Sequence, residues 1–174
     1  NNRMSGVWGQ AKIFQGALSK TLPSNQRIMK LWSDVHLKLH PNHNGNPRGL
    51  LNDAINRGSL SKYLDLPVTR LTQAEVWDRY GQYAFVISLP GHGWDCYRTW
   101  EALALGAIVV TIHTPLDALL EPYRVIFLDD TKRNCWEILN DSNWLERMWE
   151  QCSLKPVIDL RWSTWIEMVR SKLV

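Results

Sequence analysis

The sequence has only three cysteines, Cys96, Cys135 and Cys152, an odd number at wide spacing with no Cys-x-x-Cys pair. A disulfide scaffold and a structural zinc site are disfavoured, with room for one disulfide at most. Long apolar runs are missing as well. Nothing approaches the roughly 18 to 20 uninterrupted apolar residues of a membrane span, and Asn1-Asn2-Arg3-Met4 lacks the apolar core of a signal peptide. Nor is charge of one sign in excess: 20 Lys and Arg against 17 Asp and Glu leave +3. The basic residues are scattered, so a nucleic-acid partner bound through counterion release is not expected. There is no internal repeat, low-complexity tract or linker, and 174 residues suit one domain better than two of about 100 to 150 each. The chain opens on Asn rather than Met and passes almost at once into patterned structure, which sets the expectation of a segment of a longer polypeptide.

What is abundant is tryptophan, ten residues against three phenylalanines. Trp32, Trp77, Trp100, Trp136, Trp144, Trp149 and Trp165 fall in segments read as helices, where an indole ring packs into or against the core. Trp94 differs, because it sits in a Gly-rich loop. Along the chain, residues 11–18 read as a short strand. A helix capped by Ser24 then follows from the spacing of Ile28, Leu31, Trp32, Val35 and Leu39. Residues 41–49 are dense in turn formers and read as loop, 49–56 as one or two helical turns, and 64–70 as a short strand. Thr72 and Glu75 make a capping box for a helix through Tyr80, stopped by Gly81. Three apolar runs, 83–88, 107–112 and 123–128, have the length and continuity of strands buried on both faces. A helix over 95–105 is closed by Gly106, and helices are expected at 133–140, 142–152 and 161–173. Strands alternating with helices predict an α/β fold: one Rossmann-like parallel sheet with helices on both faces, spanning residues 1–174.

In an open parallel sheet, ligands bind beyond the carboxyl ends of the strands. The loop Leu89-Pro90-Gly91-His92-Gly93-Trp94 occupies such a position. Gly91 and Gly93 let a backbone approach an anionic group, and the helix beginning near Asp95 offers unpaired N–H groups and a positive dipole end. Arg98 and Glu101, three residues apart, share one helix face. Arg98 can grip a diphosphate with its planar fork, and Glu101 can accept from a ribose diol. The alternative for this pair is an intrahelical ion pair on a solvated face. The third glycine and the acidic residue about 20 positions on that mark a dinucleotide fingerprint are both missing, so NAD and FAD are disfavoured.

The stretch Phe85-Val86-Ile87-Ser88-Leu89-Pro90-Gly91-His92-Gly93-Trp94-Asp95-Cys96-Tyr97-Arg98-Thr99-Trp100-Glu101-Ala102-Leu103, with Gly106 and the apolar run after it, resembles the donor-site motif of the exostosin-like glycosyltransferases, family 47. More loosely, residues 113–130 resemble the family's substrate-facing loop and following strand, and Ile13–Ser19 its first strand and loop. The resemblance implies the C-terminal, nucleotide-sugar-binding half of a two-domain GT-B enzyme that transfers sugar with inversion from a donor, UDP being preferred, to a glycan acceptor. It implies an N-terminal acceptor-binding domain as partner and no metal or other cofactor in the chemistry. Carried over by position, Arg98 neutralises the leaving diphosphate, Glu101 holds ribose and Gly91 and Gly93 admit the phosphates. His92 can donate to a phosphate oxygen. Asp95 caps the helix or contacts donor, and Thr114 offers a hydroxyl to the donor or serves the turn before Pro115. A general base is generally supplied by the other half of such enzymes. Here His36 reads as packing on a helix, His40 and His43 as a loop pair without a third ligand, and His113 as a candidate at a strand end. The chain alone is therefore expected to bind donor and to be at most weakly catalytic. Its localisation is left between cytoplasm, favoured by unpaired cysteines, and the Golgi lumen, where relatives work behind an N-terminal anchor. A non-catalytic Rossmann-like module for a nucleotide or phosphorylated ligand is the rival reading.

Overall fold

A computed structural model describes residues 3–37, 47–91, 93–132 and 134–159, with the side chains of the first helix described from Gln10 onward. Five parallel strands form one sheet in the order β2-β1-β3-β4-β5. They are β1 (Ile28–Trp32), β2 (Leu64–Asp65), β3 (Tyr83–Ile87), β4 (Ile108–Ile112) and β5 (Val125–Leu128). The helices are α1 (Arg3–Lys20), α2 (Pro47–Asn56), α3 (Gln73–Gln82), α4 (Tyr97–Ala104), α5 (Asp117–Leu120) and α6 (Ser142–Ser153). Short 3-10 turns cover Ser24–Gln26 and Cys135–Asn140. The fold is α/β and Rossmann-like. Every residue of β3 and β4 is buried, as the continuous apolar runs require of strands covered on both sides.

The two faces are separate cores. In β4, Ile108, Val110 and Ile112 join one core with Leu51 and Ala54 of α2, Trp136 and Leu139 of the second 3-10 turn, and Leu145 and Cys152 of α6. Val109 between them points the other way, into a core shared with α3 (Val76, Trp77, Tyr80), α4 (Ala102, Leu103) and Ala17 of α1. No described helix is long and apolar enough to cross a membrane.

Several elements depart from the sequence pattern. Residues 11–18 belong to α1, so Ile13–Ser19, set beside the family's first strand, is helical. Phe14 and Ala17, three apart, face the core, and Phe14 meets Trp77 edge-on at 4.9 Å. Gly16 lies on the solvent side of that helix, where an added Cβ would have nothing within 4 Å, so its weak helix propensity is tolerated. The first strand is β1, in the place of the helix expected from Ser24, and Ser24 instead lies inside a 3-10 turn whose N-cap position is Pro23. A central strand buries neighbours on opposite faces, Leu31 into one core and Trp32 into the other, and such doubling imitates a three-to-four residue period. Trp32 is consequently a strand residue. α2 is longer than one or two turns and begins at Pro47, whose fixed φ suits a first helical position. β2 is two residues rather than seven, and residues 135–140 form a 3-10 turn rather than an α-helix. The capping box of α3 is present in both directions, Thr72 accepting from the Glu75 N–H and Glu75 accepting from the Thr72 N–H. Gly106 closes α4 with φ +77°. The rest of the 41–49 loop, with His40, His43, His92, Trp165 and the expected helix 161–173, lies outside the described residues.

Candidate functional site

The chain winds from β1 outward to β2, then returns across β1 to β3 and on through β4 and β5. The reversal puts a topological switch point between β1 and β3, where the loops at their carboxyl ends diverge and leave a crevice. The loop after β1 begins Ser33-Asp34, and that after β3 begins Ser88-Leu89-Pro90-Gly91. Both loops are held by Arg48 from the start of α2. Its Nε donates to Pro90 O at 2.9 Å, Nη1 to His36 O at 2.9 Å and Nη2 to Leu89 O at 3.4 Å.

This bracing explains one glycine. A Cβ at Gly91 would lie 3.3 Å from Arg48 Nη2, whereas one at Gly93 would have nothing within 4 Å. Neither residue has positive φ, so neither is required as glycine by a left-handed backbone. The value of Gly91 is its small size. After the loop, α4 is pinned onto the end of β3 by a buried hydroxyl pair, Ser88 Oγ and Thr99 Oγ1 at 2.9 Å. Its N-cap position is Cys96, with no side-chain cap among the described residues. Asp95 is not the cap: its Oδ1 accepts from Trp100 Nε1 at 2.7 Å, a bond that the register of the helix start decides. Trp94 is 44% exposed beside it.

Arg98 does not pair with Glu101. Its Nε donates to Asp34 Oδ1 at 2.9 Å, and the two side chains retain only 12% and 19% of their exposure. The same Asp34 oxygen accepts from the hydroxyl of Tyr80, at 2.8 Å. Burial works against the Arg98 charge and is the largest single influence on it, but Asp34, Tyr80 and Cys96 together outweigh it and its pKa is raised. Tyr80 is also raised, by burial first and then by Asp34. Arg48 is lowered, chiefly by burial and next by the nearby charge of Arg98. Two guanidinium groups thus converge on one crevice wall. The solvated ion pair Arg98–Glu101 considered from spacing alone is replaced by a long-range, largely buried pair.

Glu101 points toward α3. Burial raises its pKa, with Trp77 and Arg98 favouring the charged form and Asp34 opposing it. Although the Trp77 indole is near, neither Trp77 Nε1 nor Glu101 Oε2 completes a hydrogen bond among the described residues. The sign of the pH effect follows. Below the ordinary value of 4.5, Glu101 is protonated in both folded and unfolded chains and costs nothing. As pH rises through the raised folded value, the folded chain alone resists ionisation and loses stability. Glu101→Gln is therefore expected to melt higher than wild type at pH 7, with the difference closing below about pH 4.5; equal melting curves at both pH values would overturn this.

On the β2 side, a cleft of about 850 Å³ opens between residues 33–37 and 66–71, with Asp34 and His36 on one wall and Leu66, Pro67 and Leu71 on the other. His36, expected on a packing helix, is an exposed loop residue lining this cleft. Thr114 follows β4, where its hydroxyl accepts from Leu116 N–H at 3.1 Å and serves the turn. Among the described residues no group of three His, Cys, Asp or Glu side chains is placed to hold a metal ion. Asp34, Tyr80 and Arg48 were not singled out from the sequence. Asp34 would have stood out as a carboxylate at the carboxyl end of a strand had residues 28–32 been read as one.

No model of a known protein family matches the chain, and no curated protein matches it significantly. The functional reading therefore rests on the motif and on the geometry of this crevice.

Proposed function

We propose that this chain is the donor-binding domain of an inverting, exostosin-like glycosyltransferase of GT-B type, taking a nucleotide-sugar, preferably a UDP-sugar, at the β1–β3 crevice. The observation that carries the reading is Arg98: it stands in the first turn of α4, locked by Asp34, which Tyr80 holds in turn, beside a second guanidinium that braces the Gly91 loop. Such an arrangement suits a diphosphate, which gains charge as the glycosidic bond breaks and needs donors already in place. The first turn of α4, which no described side chain caps, adds N–H groups and a positive dipole end. In this reading Gly91 and Gly93 admit the phosphates, Arg98 stabilises the leaving group, and Glu101, released from the Trp77 side, accepts from ribose. Glycan acceptor and an N-terminal acceptor-binding domain would complete the enzyme, without a metal in the chemistry.

One observation favours the rival reading of a phospholigand-binding module without catalysis: Asp34 already neutralises Arg98 and would weaken its pull on a leaving group. The test is thermal unfolding with UDP, GDP, uridine and inorganic phosphate. A nucleoside diphosphate at about 100 times its Kd should stabilise the chain by about 2.7 kcal/mol, while uridine alone should do little. Absence of any shift with UDP and GDP would sink the donor-site reading. Sugar transfer to a glycan acceptor then separates the enzyme from the module.

A further inference from the structure

A second cluster stands at the carboxyl end of β4, apart from Arg98. His113 Nδ1 and Asp117 Oδ2 are 2.6 Å apart. The carboxylate is itself anchored, because Asp117 Oδ1 accepts from the Thr114 N–H at 2.7 Å and from Thr114 Oγ1 at 3.4 Å. The imidazole lies flat on Phe127 of β5, with centroids 5.4 Å apart and planes 17° apart. One ring nitrogen is thus held by a fixed carboxylate and the ring plane by an aromatic face, yet the His113 side chain remains 59% exposed. Turn formation explains Oδ1 but not Oδ2, which is spent on the imidazole. A neutral ring that donates Nδ1–H to the carboxylate carries its lone pair on Nε2, the arrangement of an oriented general base.

The position matches such a task. β3 and β4 are neighbours, with Ile87 paired to Val110, and Ser88 N–H donates to Val110 O at 3.0 Å. The Gly91 loop and the His113 turn therefore leave the same sheet edge from adjacent strands. We propose that His113 is the general base for glycosyl transfer, supplied by this domain, with Asp117 as its positioning residue. This inference rests on the donor-site reading of the Arg98 crevice. In the step, Nε2 takes the proton of an attacking hydroxyl, from an acceptor or from water, while that oxygen bonds to the anomeric carbon. The bond from that carbon to the diphosphate oxygen breaks, its electron pair stays on the leaving phosphate beside Arg98, and the imidazolium returns its proton to solvent.

The experiment uses the full chain with UDP, whose binding is measured by calorimetry, and with UDP-glucose, UDP-galactose and UDP-N-acetylglucosamine, whose slow transfer to water is read as UDP release. His113→Gln should lower UDP release at least about 100-fold while leaving the UDP Kd within about twofold. Asp117→Asn should lower kcat at unchanged KM, and Asp117→Glu should restore part of the loss. UDP binding accompanied by no release from any of the three donors, or by release unchanged in His113→Gln, overturns the base assignment and leaves the nucleotide site standing. Failure of UDP to bind overturns the donor-site reading and this inference with it.

Discussion

Arg98→Ala should abolish the UDP-induced rise in melting temperature and also weaken the unliganded chain. Removing one member of a buried ion pair strands the other: Asp34 would keep its Tyr80 bond but lose the only cation paired with it among the described residues. Fully buried pairs lose about 3–5 kcal/mol on such truncation; because both side chains here keep some solvent, about 2–3 kcal/mol is expected. Two further variants separate folding from binding. Arg98→Lys keeps a charge near Asp34 but lacks the planar fork, so it should retain most of the stability and lose about 10- to 100-fold in UDP affinity. Asp34→Asn keeps an oxygen for Tyr80 and frees Arg98 from its internal counter-charge, so UDP affinity should hold or rise. Urea unfolding reads the first property and titration calorimetry the second. An Arg98→Ala chain that folds and still binds UDP like wild type would remove Arg98 from the site, and the leaving-group role with it.

Arg27→Met should be the most damaging single change away from the site. Arg27, only 8% exposed, donates through Nη1 to Tyr80 O at 3.3 Å and Tyr83 O at 3.0 Å, and through Nη2 to Leu105 O at 2.6 Å. These carbonyls lie near the end of α3, at the start of β3 and at the close of α4, so one guanidinium satisfies chain reversals on which the crevice stands. Burial, and next the charge of Arg124, lowers its pKa to about 10, which leaves it charged at neutral pH. Methionine would fill part of the volume and take the guanidinium donors away from three carbonyls. With hydrogen bonds to charged groups worth about 1.5–3 kcal/mol each and not additive, a loss of about 3–4 kcal/mol is expected. That corresponds to a fall of about 10 °C in Tm for a chain of this size. Gly106 belongs to the same device, since a Cβ there would come within 2.8 Å of Arg27 Nη2 at a backbone φ of +77°. A melting temperature for Arg27→Met within about 2 °C of wild type would show that water replaces all three bonds.

The strands β3, β4 and β5 and the helices α3, α4 and α6 were legible because their signals are local. Unbroken apolar runs mark strands covered on both faces, Thr72 and Glu75 are a reciprocal cap, and Gly106 occupies a left-handed position that other residues resist. Residues 11–18 and the stretch from Ser24 to Val35 were misread for a physical reason. Leu31 and Trp32 serve two cores at once, so their spacing imitates a helical period, and among its described side chains α1 sets Phe14 and Ala17 against the core. At the site, the position of Arg98 and Glu101 on α4 followed from their spacing, but their partners did not. Asp34 lies 64 residues from Arg98 in sequence, and nothing local announces a pair of that separation.

By itself, then, the sequence determined an α/β domain of parallel strands and a Gly-containing loop feeding a helix that carries Arg98 and Glu101, because periodicity, capping and turn chemistry act over a few residues. Only the tertiary structure decided that β1 lies beside β3, so that the switch point brings Asp34, Tyr80 and Arg48 around Arg98, turns Glu101 toward Trp77, and sets the His113–Asp117 pair on the neighbouring strand end. Apart from His113–Asp117, whose two members are four residues apart, those are contacts between residues distant in sequence, made by strand order and helix packing.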